Sequence, residues 1–429
     1  MTNEELAKQD LGCIFHPCSQ MKDYENYPII PIKRGYGAYI EDFEGRAYLD
    51  CISSWWVNLF GHANEEINAK ITKQLGELEH VIFAGFTHEP ALKLSRRLLD
   101  LSGFDKLFFA DNGSSAVEVA LKMAYQFFAN RGEQRPLFVS LSNSYHGETM
   151  GALAVSDTGL YKDIYSPILL QTLQAASPAL VSEDEAIASM KDLLRQNANK
   201  VASVIVEPLV QCAGGMLMYD ASYLKRLKSL CEEEGVFLIC DEIAVGFGRT
   251  GSMFAYEQAG IKPDLVCLSK GITAGYLPLS VVLMRQEMYD AFYDDYEKGR
   301  SFMHSHSYTA NALACAAANA CLDIFERDNI IETNKAKIAL IASKLEGFRG
   351  LKNVLEVRQR GMIAAVELKN PLQKRISLEF SQNCMKEGVY LRPLGNVVYF
   401  MPPYIFTSEQ LHKMLDVAKN AIETLDLGN

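Results

Sequence analysis

Leu265-Val266-Cys267-Leu268-Ser269-Lys270-Gly271 is an apolar run that ends in a lysine. A similar run upstream, Val236-Phe237-Leu238-Ile239-Cys240, ends in Asp241-Glu242. Short, continuously apolar strands suit a parallel sheet covered on both faces. In an open α/β sheet, ligands bind outside the carboxyl ends of the strands. An amine and a carboxylate at two such ends suit one cofactor well. Pyridoxal phosphate needs an amine to hold its aldehyde as a Schiff base, and a carboxylate beside its pyridine nitrogen so that the protonated ring is an electron sink. Taken alone, the pair also fits an ordinary solvated lysine after a buried strand.

The neighbouring sequence extends the pattern. Apolar runs at Lys106–Ala110, Leu137–Leu141, Val201–Val206, 236–241, Leu265–Leu268 and 279–284 alternate with helical spacing, as in Ala91-Leu94-Leu98 and the segment 116–129. This predicts an α/β fold with a mainly parallel central sheet flanked by helices. The large domain is expected over 60–310. The segments 1–59, read as short strands and turns, and 311–429 differ from it and are expected to form a smaller α+β domain from both termini. Helices are expected from Asn311 to Arg327 and on to about Leu345, and strands near 354–357 and 362–368. A last helix opens with Thr407 and Gln410 as a capping box, and its buried stripe is Leu411, Met414, Leu415, Ala418 and Ile422.

The chain has 429 residues, enough for roughly two to four domains. A net charge of −11, spread along the sequence, speaks against nucleic acid as a partner. No apolar run approaches the roughly 18 residues that span a bilayer, and the start, Met1-Thr2-Asn3-Glu4-Glu5, is acidic with no signal-peptide pattern. The 10 cysteines are scattered without a C-x-x-C pair, which predicts reduced core thiols, no metal site and a cytoplasmic protein.

Ala110-Asp111-Asn112-Gly113-Ser114-Ser115 joins a strand to a helix. Free N–H groups and the positive dipole end there, with serine hydroxyls, make a phosphate seat; a simple N-cap turn is the alternative. Ser144-Tyr145-His146-Gly147-Glu148-Thr149 follows another strand, and Tyr145 can lie flat on a pyridine ring. His146 is read as a packing or hydrogen-bonding residue. Glu207-Pro208 follows a third strand. The loop Gly246-Phe247-Gly248-Arg249-Thr250-Gly251 fits neither P-loop nor dinucleotide spacing. Asp111, Tyr145, Glu207, Asp241 and Ser269 are all expected at one sheet edge.

In order and spacing, these motifs and Ser269-Lys270-Gly271 resemble the class III aminotransferases, fold-type I enzymes dependent on pyridoxal phosphate. The resemblance implies Lys270, Asp241 and Tyr145 as catalytic residues, and Gly113, Ser114, Glu207 and Ser307 as further cofactor ligands. Ser307 would reach the phosphate of the neighbouring subunit of a homodimer with shared active sites. Small-molecule substrates would meet Trp55, Trp56, Tyr145, Arg249, Lys270, Ser305, Arg392 and Tyr399.

Ser53-Ser54-Trp55-Trp56 is read as a strand, whose alternation points one tryptophan away from any core, as an apolar wall for a long aliphatic substrate. Arg392, after Val389-Tyr390-Leu391 and before Pro393, suits bidentate capture of a substrate carboxylate. Three places depart from the family pattern: Cys18 where a tyrosine is common, Glu148 for an aspartate, and Ser305-His306-Ser307 for Gly-Pro-Thr. The first two bear on the amino donor, since some members use S-adenosylmethionine and others lysine. A different ω-amine substrate such as ornithine or 4-aminobutyrate, a same-fold aminomutase, and a non-catalytic cofactor-binding module are the alternatives.

Overall fold

The structure, a computed structural model, describes residues 1–427. Its chain divides into two compact units, Met1–Glu65 with Asn334–Asn429, and Glu66–Thr333. The divide falls later than the expected 310. The reason is the helix Ala312–Arg327, capped by Asn311. It binds within the larger unit: Arg97 donates to Asp323 and to the Asn319 carbonyl, and Asn319 donates to the Pro90 carbonyl.

The larger unit is built on seven strands: β1 (Lys106–Ala110), β2 (Leu137–Leu141), β3 (Leu173–Ala175), β4 (Val201–Val206), β5 (Phe237–Asp241), β6 (Leu265–Leu268) and β7 (Ser280–Met284). Their spatial order is β1-β7-β6-β5-β4-β2-β3. β7 runs antiparallel to both neighbours, and all other pairs are parallel. All residues of β4 and β6 are buried, as a strand covered on both faces requires. The helix Gly113–Ala129 packs on this sheet through Val117, Ala120, Leu121, Ala124, Phe127 and Phe128. Burial of each phenylalanine there contributes roughly 1.5–3 kcal/mol. Helices Glu89–Ser102, Glu183–Gln196 and Ala221–Glu233 pack on further strands.

The smaller unit joins both chain ends in one sheet. Strands Ile32–Tyr36, Tyr39–Asp42 and Ala47–Asp50 continue into Val389–Tyr390, which pairs parallel with Ala47–Asp50. A second sheet holds Val354–Arg360, Ile363–Leu368 and Val397–Phe400. The last helix, Ser408–Thr424, has the Thr407 and Gln410 capping box, and its expected stripe is buried together with Ala421.

Three expectations are corrected. Residues 1–59 are not only strands and turns, because Asn3–Leu11 is a helix capped by Thr2 and Glu5. The Ser53–Trp56 segment is not a strand but a single turn of left-handed helix. Its tryptophans still divide, Trp56 buried and Trp55 partly exposed. Two of the ten thiols, Cys13 and Cys18, are exposed rather than in the core. No helix among the described residues is long and apolar enough to cross a membrane.

Candidate active site

The carboxyl ends of β1, β2, β4, β5 and β6 carry the residues singled out by sequence. Asp241 is the last residue of β5 and is buried. Its Oδ1 accepts the Ile243 N–H at 3.1 Å, and its Oδ2 lies 2.8 Å from His146 Nδ1. A carboxylate only accepts, so Nδ1 carries the imidazole proton. The ring has no exposure, and its Nε2 meets no partner among the described residues. His146 is thus the hydrogen-bonding residue expected, with Asp241 as its partner.

Lys270 opens the short helical turn Lys270–Thr273 with φ +46°, a region that side chains disfavour. Desolvation lowers the pKa of its amine, against the pull of Cys212, Asp241 and Glu207, and Arg249 lowers it further. A larger fraction of neutral amine at neutral pH follows. Arg249 is itself fully buried. Ser269 turns inward and donates to the Leu279 carbonyl at 2.8 Å.

The turn after β1 is the N-cap turn its sequence allows. Asn112 caps the helix Gly113–Ala129 by accepting the Ser115 N–H. The amides of Gly113 and Ser114 find no acceptor among the described residues, as the first turn of a helix leaves them. Space there is tight: a Cβ on Gly113 would lie 3.0 Å from Ile243. Gly147, at φ +128°, leaves no room for one, since it would stand 2.0 Å from Ser114 Oγ.

Glu207 follows β4 and is buried. Its two oxygens accept the N–H groups of Tyr145 at 3.0 Å and Cys212 at 2.9 Å. It therefore fixes the backbone that carries Tyr145, whose hydroxyl donates to Glu148 at 2.9 Å. The residues around Lys270 and Asp241 fit pyridoxal phosphate: an amine, a carboxylate held by a buried imidazole, an aromatic ring and a helix N-terminus with open amides.

A family model described as "Aminotransferase class-III" matches residues 20–422. The chain belongs to the class III aminotransferases. It is 50% identical over 432 residues to a Helicobacter pylori protein named adenosylmethionine-8-amino-7-oxononanoate aminotransferase, covering 99% of this chain and 98% of that one. A crystal structure of the enzyme of that name from Methanocaldococcus jannaschii matches with a TM-score of 0.95 and 35% identity, covering 99% and 100% of the two chains. An amine transaminase structure from an uncultivated Pseudomonas species, in its PLP-bound form, matches with a TM-score of 0.90 and 31% identity, covering 96% and 98%.

The departures from the class III pattern have structural counterparts. In place of Gly-Pro, the segment Ser305-His306 brings an imidazole into a chain of contacts. Lys122 Nζ lies 3.0 Å from His304 Nδ1, His304 Nε2 lies 3.2 Å from His306 Nε2, and His306 Nδ1 lies 3.4 Å from Asp111 Oδ2. An ammonium only donates, so His304 carries its proton on Nε2 and His306 on Nδ1. Burial, then Lys122 and His306, lowers the His304 pKa and keeps it neutral. Ser305 and Ser307 are exposed in the single chain, and the Ser307 carbonyl lies 2.6 Å from His80 Nε2.

Glu207 gives this class III site a pH signature. Burial pushes its carboxyl up to about 7, with Asp241 adding to the rise, while His146 and the two amides pull it down. A carboxyl whose folded pKa exceeds its ordinary 4.5 stabilises the fold while protonated. That contribution is full at low pH and is lost as pH rises through about 7. Glu207→Gln has no such proton to lose. The melting-temperature advantage of wild type over this variant is expected to shrink between about pH 5 and about pH 8. A gap that stays constant across that range contradicts the assignment.

Proposed function

We propose that this chain is a pyridoxal-phosphate aminotransferase that converts 8-amino-7-oxononanoate to 7,8-diaminopelargonate in biotin synthesis. The amino donor is S-adenosylmethionine or lysine. The observation that carries the substrate is the 50% identity, over nearly the whole length of both chains, to the Helicobacter pylori protein of that name. Bound at the strand ends, pyridoxal phosphate supplies an electron sink for charge developing at the amine-bearing carbon.

The residues of the chain supply the rest. The Gly113 and Ser114 amides, with the Ser114 hydroxyl, hold the phosphate, joined by Ser307 of a neighbouring subunit. Asp241 keeps a proton on the ring nitrogen, and the His146 Nδ1–H orients that carboxylate. Tyr145, its backbone fixed by Glu207, would supply the aromatic face for the cofactor ring. The Lys270 amine takes a proton from the donor carbon and returns one to the substrate carbon, a role its lowered pKa favours. Trp55, Trp56 and Tyr399 form an apolar wall for the aliphatic chain, Ser305 and Arg249 complete the polar contacts, and Arg392 grips the substrate carboxylate. Two half-reactions through one set of residues give ping-pong kinetics.

A homodimer is part of the same proposal. Ile82, Phe86, Met303 and Tyr308 are more than half exposed, an apolar surface that a second copy would cover. A cytoplasmic location accords with the ten cysteines, all free thiols.

Incubating the purified protein with pyridoxal phosphate, 8-amino-7-oxononanoate and either donor tests the proposal, with 7,8-diaminopelargonate read by mass spectrometry. Product with one donor is expected; none with either refutes the substrate. Arg392→Ala is expected to raise the Michaelis constant for the oxononanoate roughly 10- to 100-fold, because a charge-assisted hydrogen bond contributes about 1.5–3 kcal/mol. Steady-state kinetics at saturating donor checks this, and an unchanged constant removes Arg392 from its role.

A further inference from the structure

The only two tryptophans of the chain, Trp55 and Trp56, lie in a backbone turn that L-residues avoid. Four consecutive residues have positive φ: Ser53 at 53°, Ser54 at 44°, Trp55 at 69° and Trp56 at 75°. In this geometry each Cβ presses on a carbonyl oxygen, so a run of four needs support from its surroundings.

Asp50 provides that support. It ends the strand Ala47–Asp50 and is fixed there by donating its N–H to the Ala38 carbonyl at 2.9 Å. Its carboxylate is fully buried. Oδ1 accepts the Ser54 N–H at 3.0 Å, and Oδ2 accepts the Ser54 hydroxyl at 2.6 Å. His62 Nε2 reaches the same Oδ2 at 3.0 Å. Burial alone would raise the Asp50 pKa, but the bonds from His62 and Ser54 outweigh it and hold the carboxyl below its ordinary range. The neighbouring Ser53 hydroxyl donates to the Met401 carbonyl at 2.7 Å. Asp50 stands between the serine and the histidine, so the Ser54 hydroxyl meets the carboxylate and not the imidazole, and the trio lacks the serine–histidine–acid order of a nucleophile's triad.

The turn orients both indoles. Trp56 packs edge-on to Tyr399, with ring centroids 6.0 Å apart. Trp55 remains partly exposed, and the Arg392 guanidinium sits over its ring, 4.9 Å from the centroid. Arg392 also donates to the Cys18 carbonyl at 3.2 Å. Its fork is therefore aimed between an indole face and a carbonyl oxygen, and the indole depends on Ser54, which depends on Asp50.

We propose that Asp50 is a positioning residue for substrate recognition. By holding the left-handed Ser53–Trp56 turn, it fixes Trp55 under the Arg392 guanidinium and so sets the affinity for the substrate carboxylate. The affinity part rests on the carboxylate role of Arg392 proposed above; the structural part does not.

The test uses the full-length holoenzyme with Asp50→Asn and, separately, Ser54→Ala. Because both tryptophans lie in the turn, tryptophan emission, excited at the red edge where the 20 tyrosines do not absorb, and its quenching by acrylamide report on this segment. Asp50→Asn is expected to shift the emission to the red, increase quenching and raise the Michaelis constant for 8-amino-7-oxononanoate roughly tenfold, with kcat changed far less. Ser54→Ala should move both readouts in the same direction, less far. Unchanged emission in both variants overturns the positioning role. A changed emission with an unchanged Michaelis constant overturns the link to substrate affinity. Should Asp50→Asn fail to fold by circular dichroism, Ser54→Ala decides the same question, because its hydroxyl meets only Asp50 among the described residues. A wild-type protein inactive on the oxononanoate refutes the substrate assignment instead, and the emission arm still decides the role of Asp50.

Discussion

Alanine in place of Lys270 is expected to abolish turnover, with kcat lowered by roughly 10⁴-fold or more. The substitution removes both the amine that anchors the cofactor and the base that moves the proton, so two effects fall on one side chain. The fold should survive. Alanine inherits the same φ of +46°, so no backbone strain is added, and a desolvated amine is removed rather than a packed apolar group. The thermal melt of the cofactor-free variant is therefore expected to match or exceed that of cofactor-free wild type, since the comparison then carries no ligand contribution. Turnover near the wild-type rate, in a variant with a normal melt, would contradict the assignment of Lys270.

Asp241→Asn is expected to lower kcat by roughly 10²- to 10³-fold, the scale on which one preorganised electrostatic contact acts. The loss has two sources. The negative charge that would keep the ring nitrogen protonated is gone. The asparagine also offers one acceptor where the carboxylate offers two, so its NH2 faces either the His146 Nδ1–H or the Ile243 N–H, and two donors meet in a buried place either way. With Oδ1 turned to His146 the clash falls on the Ile243 N–H; with the amide reversed, the imidazole proton must move to Nε2, which has no partner among the described residues. A single-turnover measurement with the amino donor checks this, and a rate within a factor of a few of wild type would remove Asp241 from the role.

The large unit was legible because its strands are buried on both faces and read as unbroken apolar runs. The six expected strands are present, within a residue or so of their expected ends. Their direction was less legible, because an apolar run carries no arrow: β7 is as apolar as β6 yet runs against it. The edge strand β3, Leu173-Gln174-Ala175, is too short and too polar to announce itself. The helix at Asn3–Leu11 had a signal, Thr2 with Glu5 three residues on, which is the same capping box that located the last helix. Without an apolar stripe behind it, that box does not by itself announce a helix.

In the site, Lys270, Asp241 and the Asn112-Gly113-Ser114 turn could be read from residue type and strand-end position. Their hydrogen-bond partners could not. His146 and Asp241 are separated by 95 residues, and only the adjacency of strand ends brings them together. The left-handed turn at Ser53–Trp56 is hidden in the sequence for a related reason. Serine and tryptophan have no intrinsic preference for positive φ, and the turn is held by Asp50 and by the Met401 carbonyl from the far end of the chain. Alternation along a strand and one turn of helix can both bury one tryptophan and leave its neighbour out, so the burial expectation survived a wrong backbone.

The most direct test of the central claim is to mix the purified, cofactor-loaded protein with 7,8-diaminopelargonate alone and follow the cofactor's visible absorbance. The proposed enzyme runs this half-reaction in reverse without any other reagent, so the visible band is expected to fall as the amino group passes to the cofactor. A visible band that the diamine leaves untouched would contradict the assignment to this substrate, while leaving the chain among the class III aminotransferases.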